Sequence, residues 1–585
     1  MASDPKATVV LCWHMHQPCY QDQRTGDFLF PWTYLHAIKD YADMAAHLEA
    51  HPDARAVVNF APVLLEQIEA YLIQIERWRS GHGEIQDEIL GALASETLPA
   101  PGTPGFLGLM DKCLRANHER IIKRFAPYTK LASFAESYRS RPEIQIYISE
   151  QYLADLLVWY HIGWLGETIR RTHTFVLSLQ EKGRAFTFDD RKALVELIFE
   201  TLSGIGPRYR RLADRGQIEL AVSPYSHPIL PLLISLESAR EALPELVLPD
   251  SRLYPGGEFR AHWQLTQALR VFYRFFRRQP VGCWASEGAL SQAALALLSE
   301  QGFKWTASGD SVLANSAQAA AQGHREGKDG EVIPGRIHTP YRFGGDDITV
   351  FFRDDGLSDR IGFSYSDWHA EDAVSDLIVN METIAKHSPS SEPCVISIIM
   401  DGENAWEYYP ENGYHFLDEL YRRLEAHPYL RLSTYSQVLA ESDPSVTVLP
   451  RLTAGSWIYG TFSTWIGDPD KNRAWDWLCE AKHHYDSVLG GSELSEEQKE
   501  IASRQLAYCE GSDWYWWFGD YNPPQIVHDF EFLFRRHLVN LYSAIKLPAP
   551  PMIFQQLSQG GGMPSRGGTM RTGHFEPERE PGSQT

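Results

Sequence analysis

The chain has 585 residues, 43% of them hydrophobic, and a formal net charge of −22, so it can build a large core and has room for one large domain plus a second. That charge disfavours nucleic acid and anionic membrane surfaces and leaves neutral or cationic ligands open; no apolar run nears the roughly 20 residues of a membrane span. Seven cysteines without a CxxC pair point away from a disulfide framework or a thiolate zinc site. The start Met1-Ala2-Ser3-Asp4-Pro5-Lys6 has no basic segment leading into a long apolar one, so reduced thiols in cytoplasm are expected.

Seven short apolar runs read as strands, at residues 7–13, 54–60, 218–222, 281–285, 304–307, 348–353 and 394–400. Helical periodicity lies between them, at 34–48, 63–77, 153–179 and 189–213. Strands apolar on both faces that alternate with helices predict a parallel sheet or barrel. The long helical stretch between the second and third runs predicts an inserted bundle over one barrel face. After about residue 442 the pattern turns helical, at 472–488, 495–509 and 526–545, with an aromatic loop at 510–522. The expected organisation is a barrel with its insertion over 1–442, a helical C-terminal domain over 443–550 and a disordered tail over 551–585. In that tail Gly, Ser, Pro, Arg and Glu leave little to bury.

Residues capable of chemistry gather where these strands end. The first run leads into His14-Met15-His16-Gln17-Pro18. Period two sets both histidines on one side of the strand, where they bind a metal, hydrogen-bond a ligand or satisfy each other in the core. The third run contains Glu219 and leads into Ser226-His227-Pro228. A carboxylate inside a strand is costly unless paired or facing a polar cavity; a half-exposed strand face is the alternative. The fourth gives Trp284-Ala285-Ser286-Glu287-Gly288, with Glu287 at a strand-to-helix turn, a place the helix dipole alone also favours for an acid. The seventh ends in Asp401-Gly402-Glu403-Asn404-Ala405-Trp406-Glu407. An acid at the first polar position after a buried strand sits on the C-terminal rim of a parallel barrel, where sites are built. Glu287 and Asp401, from different strand ends, are the pair of acids that glycosidic cleavage needs. An acid beside an indole also suits a sugar, whose C–H face stacks on the ring.

Taken in order, these segments resemble glycoside hydrolase family 57, the α-glucan-active family of amylases, amylopullulanases, branching enzymes and 4-α-glucanotransferases. The matching pieces are His14-Met15-His16-Gln17-Pro18, Gly216-Gln217-Ile218-Glu219, Trp284-Ala285-Ser286-Glu287, the segment 401–407, and Glu510-Gly511-Ser512-Asp513-Trp514-Tyr515-Trp516-Trp517-Phe518-Gly519. They span residues 9–545. The resemblance implies an α/β fold, an incomplete (β/α)7 TIM-like barrel with helical insertions and an α-helical C-terminal domain. It also implies a retaining mechanism with Glu287 as nucleophile and Asp401 as general acid/base. On this reading His14, His16, Glu219 and His227 hold sugar hydroxyls next to the scissile bond. Trp284, Trp406 and Trp514 are ring platforms, with core packing as the equal alternative for each. Asp401 is expected to hold a raised pKa through burial and the negative charge of Glu287. No metal and no cofactor are expected; the partner is an α-glucan such as maltooligosaccharide, starch or glycogen. The late aromatic segment looks more like the amylopullulanase type than the branching-enzyme type.

Hydrolysis, 4-α-glucan transfer and branching all run on this machinery and stay open at this point, as do α-1,4 and α-1,6 linkages and the oligomeric state. Two further classes stand beside them: a zinc-dependent carbohydrate hydrolase or deacetylase using His14, His16 and Asp401, and a non-catalytic glucan-binding protein. Against zinc, its chemistry needs no second glutamate at a Trp-flanked turn, and no further His pair has ligand spacing.

Overall fold

The computed structural model describes residues 6–141, 148–324, 336–389, 393–441 and 446–562. Among these, one largely parallel sheet is formed by β1 (Ala7–Met15), β2 (Ala56–Phe60), β3 (Ile218–Val222), β4 (Trp305–Gly309), β5 (Tyr341–Phe343), β6 (Thr349–Arg353), β7 (Val395–Asp401), β8 (Leu430–Leu432) and β9 (Thr447–Leu449). β1 lies parallel between β2 and β7, and β3 continues on β2. Residues 282–284 carry the ring onward: Trp284 N donates to Val222 O at 3.0 Å and Cys283 N to Trp305 O at 3.1 Å. β4 then pairs with β6, and β6 returns to β7. The seven expected runs are therefore the seven staves of a (β/α)7 barrel. Their two-sided burial is why they read as continuous apolar runs.

The seam between β6 and β7 is thin. It has the single register pair Arg353–Ser397, and the Arg353 side chain does part of the ladder's work by donating Nε to Ile399 O at 2.8 Å. The three-residue strands β5, β8 and β9 lie outside the ring and were not anticipated, because three residues carry no readable period. β8 extends β1 at its N-terminal end, while β5 and β9 pair with each other beside β6.

Between β2 and β3 the expected helical insertion is present, ending in the long helix Phe188–Asp214. The stretch 153–179, which reads as one helix, is three: Glu150–Trp164, Glu167–Thr172 and Thr174–Lys182. The break is made from outside the segment. Asp43 accepts the amides of Glu167 at 2.6 Å and Thr168 at 3.0 Å, capping a new helix start. A Cβ on Gly166 would fall 2.6 Å from the same carboxylate.

The C-terminal helices Pro469–Leu489, Glu496–Cys509 and Pro524–Ala544 match expectation closely. The structure departs from expectation in the first part of the stretch 551–585. Residues 551–562 are packed: Ile553 and Leu557 are buried, Leu557 N donates to Glu531 at 2.6 Å and Gly519 N donates to Ser558 Oγ at 3.0 Å. Residues 563–585, like 1–5, lie outside the described residues. All seven cysteines are free and buried, and no helix among the described residues is long and apolar enough to cross a membrane.

A fully buried ion pair ties the barrel to the C-terminal helices. Arg260, on the helix Gly257–Phe276, meets Glu510 at 2.7 Å, both fully buried. Glu510 also accepts from Tyr254 Oη and Gln264 Nε2, each at 2.6 Å. Removing one partner of a buried pair strands the other charge, at a cost of about 3–5 kcal/mol. Glu510→Ala is therefore expected to lower the melting temperature by many degrees in scanning calorimetry, whereas Glu496→Ala at the exposed start of the same helical region leaves it nearly unchanged.

Candidate active site

Register builds the centre of the site. His14 on β1 lies opposite Asn59 of β2 and Asp401 of β7, so all three occupy one layer at the C-terminal rim. His14 Nδ1 lies 2.6 Å from Asn59 Oδ1, which fixes the imidazole inside the barrel mouth. The chain leaves β7 pressed against β1: Gly402 N donates to His14 O at 2.6 Å, and a Cβ there would lie 2.2 Å from Met15 Sδ, so a larger residue would have to displace the buried Met15 side chain. Glu287 stands on the single turn Ser286–Gly288 with φ +57°, a left-handed backbone that a glutamate adopts only when its surroundings hold it there. Trp457 holds it from both ends, donating its backbone N to Glu287 O at 3.1 Å and its indole Nε1 to Glu287 Oε2 at 3.0 Å.

A cleft of about 290 Å³ opens on these residues. The rim supplies His14, His16, His227, Glu287, Arg353 and Asp401, and the C-terminal helices supply Asp513, Trp516 and Trp517. His16 Nε2 contacts Asp513 at 2.9 Å, and His227 Nδ1 lies 3.9 Å from Glu287 Oε1. Six carboxyls line the space (Glu287, Asp401, Glu403, Glu407, Asp513 and Asp529). Its arginine, Arg353, is already paired with Asp355 at 2.5 Å and Asp359 at 2.8 Å. Such a cleft repels anionic ligands and accepts neutral ones.

Burial dominates the protonation chemistry. Glu287 is pushed up to about 8 by burial, then by the charges of Asp401 and Asp513, against hydrogen bonds from Trp457 and Ser512. Asp401 is also raised, by burial above all, with Asp513 adding to it and Asn404, His16 and Arg353 opposing. The expected source of negative charge on Asp401 was Glu287; the one that acts is Asp513, while Asp401 acts on Glu287. The charge of Asp401 thus acts on Glu287, and both acids resist ionisation in the buried cleft. Glu403 is held well above the carboxylate range by burial and by Asp401. Burial also lowers His14 to about 3 and His227 well below its ordinary value, so both imidazoles are neutral.

Of the residues singled out in the sequence, Glu287, Asp401, His14, His16 and His227 come together in the cleft. Glu219 does not. It sits near the N-terminal end of β3, accepting Trp305 Nε1 at 2.6 Å, Ser436 Oγ at 2.6 Å and Ser436 N at 2.9 Å, where it caps the helix Tyr435–Glu441; its partners satisfy the buried charge without a ligand. Trp284, Trp406 and Trp514 are fully buried and face other side chains instead of the cleft. Trp406 packs on Trp13 and Tyr409, Trp514 on Phe530 and Phe534, and Trp284 edge-on against Trp457. The indoles that line the cleft are Trp32, Trp457, Trp516 and Trp517. Sequence reading passed over these, together with Arg353, Ser512 and Asp513. Four of the seven (Ser512, Asp513, Trp516 and Trp517) lie inside the quoted 510–519 segment, and Trp32 and Trp457 have no sequence signal beyond being aromatic.

His16, His227 and Asp513 bring potential metal-ligand atoms within 4.8 Å of one another. The two imidazoles, however, stack at 3.9 Å between centroids with planes 22° apart. Nearly parallel rings carry nearly parallel lone pairs, so one ion would sit well out of at least one ring plane. The cluster fits hydrogen bonding better than coordination.

A (β/α)7 barrel with paired, desolvated carboxyls and indoles at its C-terminal rim is the architecture of a carbohydrate-active enzyme. The sequence matches the model of Glycosyl hydrolase family 57 over residues 10–450, and the chain belongs to that family. Among solved structures, a branching enzyme of the family from Pyrococcus horikoshii superposes with a TM-score of 0.56 at 14% identity, covering 98% of this chain and 99% of that one. The family's branching enzyme from Thermococcus kodakaraensis gives 0.54 at 15% identity, with 92% and 89% covered. An α-amylase from Thermotoga maritima gives 0.54 at 13%, with 92% and 93% covered. No curated protein matches the sequence.

The raised Glu287 has a signature in stability. A carboxyl lifted from 4.5 to about 8 on folding contributes stability that is complete below pH 4.5 and is lost as pH rises through 8, at about 1.4 kcal/mol for each pH unit between. Glu287→Gln keeps the neutral shape at every pH. The melting temperature of this variant should match the wild type near pH 4 and exceed it progressively up to pH 8–9. A constant difference across that range would mean Glu287 is not raised.

Proposed function

We propose that the protein is a retaining glycoside hydrolase acting on α-glucans, with Glu287 as nucleophile and Asp401 as general acid/base. The observation that carries this reading is the coupled pair itself: two acids from separate staves, both lifted by burial, in one cleft that also offers neutral imidazoles and indole faces. The activities named for the structural neighbours, branching enzyme and α-amylase, lie in the same substrate class.

In the first half-reaction a Glu287 carboxylate oxygen bonds to the anomeric carbon as the glycosidic C–O bond breaks, and the proton of Asp401 goes to the departing oxygen. In the second, water attacks the same carbon, Asp401 takes its proton, and the ester bond to Glu287 breaks. The proton must begin on Asp401, and the Trp457 indole favours that placement by donating to Glu287 Oε2 at 3.0 Å, which supports its ionised form; Asp513 raises both acids and does not distinguish them. On this reading His16 binds a sugar hydroxyl and Trp516 and Trp517 take the ring faces, while both ring nitrogens of His227 are taken by His14 and Ser512. Because Trp457, Asp513, Trp516 and Trp517 all follow residue 442, the working unit is the barrel together with the C-terminal helices.

Glu287→Gln and Asp401→Asn should each reduce kcat on maltoheptaose at least about 10³-fold without lowering the melting temperature. Azide separates their roles. It should rescue Glu287→Ala to a glycosyl azide of inverted configuration and Asp401→Ala to one of retained configuration. The opposite pattern would exchange the assignments, and substantial activity in either variant would remove that residue from the pair. Product analysis on maltoheptaose, pullulan and glycogen then reads the outcome: only shorter sugars for hydrolysis, longer ones for transfer, new branch points for branching. Treatment with EDTA is expected to leave the rate unchanged; a loss restored by zinc would favour the metal reading.

A further inference from the structure

The connection from β1 to β2 carries a polar stripe along one helical face. Trp32, His36, Lys39, Asp40 and Asp43 follow one another at helical spacing through the short helix Trp32–His36, the π-helical turn Ala37–Tyr41 and the helix Ala42–Ala50. The last four are buried, where an unpaired polar group is costly, and nearly all of their polar atoms are paired. Asp43 caps the helix that starts at Glu167. The Asp40 carboxylate lies 2.7 Å from His36 Nδ1 and 3.0 Å from Lys39 Nζ. Lys39 Nζ also reaches Asn412 Oδ1 at 3.3 Å and Glu407 at 3.9 Å, and it sits 5.1 Å over the Trp164 ring. His36 packs edge-on against the same indole, 5.5 Å between centroids with planes 88° apart.

One nitrogen of the stripe is left over. His36 Nε2 has no hydrogen-bond partner among the described residues, yet it is not sealed in the core. His36 lines the cleft together with Trp32, which stands one turn earlier on the same face. Nε2 is therefore the group this residue presents to a ligand, on a ring held still by Asp40 and Trp164. A sugar hydroxyl both donates and accepts, so it satisfies this nitrogen with or without a proton on it. Barrel order says which sugar that is. Around the ring the staves run β1, β2, β3, residues 282–284, β4, β6 and β7. Glu287 thus rises across the mouth from β1, whereas Asp401 ends the stave beside it. Glu407 and Asn412, the contacts of Lys39, lie on the chain that follows Asp401. His36 stands on the Asp401 side of the cleft.

We propose that His36 binds the glucosyl unit on the leaving-group side of the scissile bond, through Nε2 and a sugar hydroxyl. In the first half-reaction it holds the departing sugar while Asp401 protonates the glycosidic oxygen. In the second, the same position receives an acceptor sugar when one replaces water. Asp40 and Lys39 do not reach the ligand; they are positioning residues that act by aiming the imidazole. This inference rests on Asp401 being the general acid/base, because the sugar leaves on the side of the acid.

Two replacements on the full chain separate ligand binding from a structural role. Asparagine keeps an N–H near the place of Nδ1, and so the bond to Asp40, but loses Nε2; glutamine reaches the place of Nε2. His36→Asn should lower kcat/KM on maltoheptaose about tenfold, the loss of one hydrogen bond. It should leave nitrophenol release from 4-nitrophenyl α-maltoside, whose leaving group is not a sugar, within about twofold, and His36→Gln should stay within about threefold of the wild type on both. Binding gives a readout without turnover: in a Glu287→Gln background, adding His36→Asn should weaken maltoheptaose affinity about tenfold in titration calorimetry. An equal fall on both substrates, a milder effect from asparagine than from glutamine, or unchanged affinity would overturn the proposal. Failure of the acid/base assignment would show instead in the azide products, which do not depend on His36.

Discussion

Taking carboxylates out of water is the constraint around which this barrel mouth is arranged. Six carboxyls line one cleft, and a second negative charge there becomes expensive as soon as the first is present. The protein offsets this in two ways. It keeps protons on the acids, as the upward shifts of Glu287, Asp401 and Glu403 indicate, and it supplies neutral donors in place of cations. Indole N–H, hydroxyl and imidazole groups bind an anion without creating a fixed ion pair. Glu287 is thereby left weakly held as a carboxylate, a state that suits the nucleophile role proposed for it.

Strand register converts this chemistry into geometry. A slip of one residue between β1 and β7 would turn His14 away from Asp401 and carry every alternate side chain to the other face. The observed alignment is held by the seven-residue ladder of β1 on β7 and by Gly402 N donating to His14 O at 2.6 Å. Strain is stored at the other acid, where Glu287 adopts φ +57° beneath Trp457. The two acids are therefore fixed by different means, one by a tight strand contact and the other by a turn clamped from across the cleft.

Much of this was legible in the chain. Two-sided burial makes barrel staves stand out as apolar runs, and the acids at their ends follow from where a parallel barrel exposes its strand termini; that logic located Glu287, Asp401, His14, His16 and His227. It failed at Glu219, because period two tells which face a side chain takes but not how far along the barrel it lies, and Glu219 is near the closed end. It failed at Trp284, Trp406 and Trp514 because an indole beside an acid in sequence packs into the core as readily as it faces solvent. The division of 153–179 into three helices depended on Asp43, more than a hundred residues earlier, and nothing local records it. Residues 551–562 looked too polar to fold, yet two apolar anchors and one carboxylate hold them.

The C-terminal helices deserve to be counted as part of the site and not as an appendage. Asp513 raises both acids, Trp457 donates to Glu287, and Trp516 and Trp517 line the cleft, so a barrel alone would present two acids without the indole N–H that favours ionisation of one of them. The segment that carries Ser512 and Asp513 begins at Glu510, whose carboxylate is held by Arg260, Tyr254 and Gln264. A fully buried ion pair contributes little net stability compared with well-packed apolar groups, yet it has a direction that apolar packing lacks. Here it fixes the start of the loop beside the turn that follows β3, and Ser512 N closes on His227 O from that anchor. The energetic cost of burying Arg260 and Glu510 is thus coupled to the placement of Asp513, whose charge raises both Glu287 and Asp401.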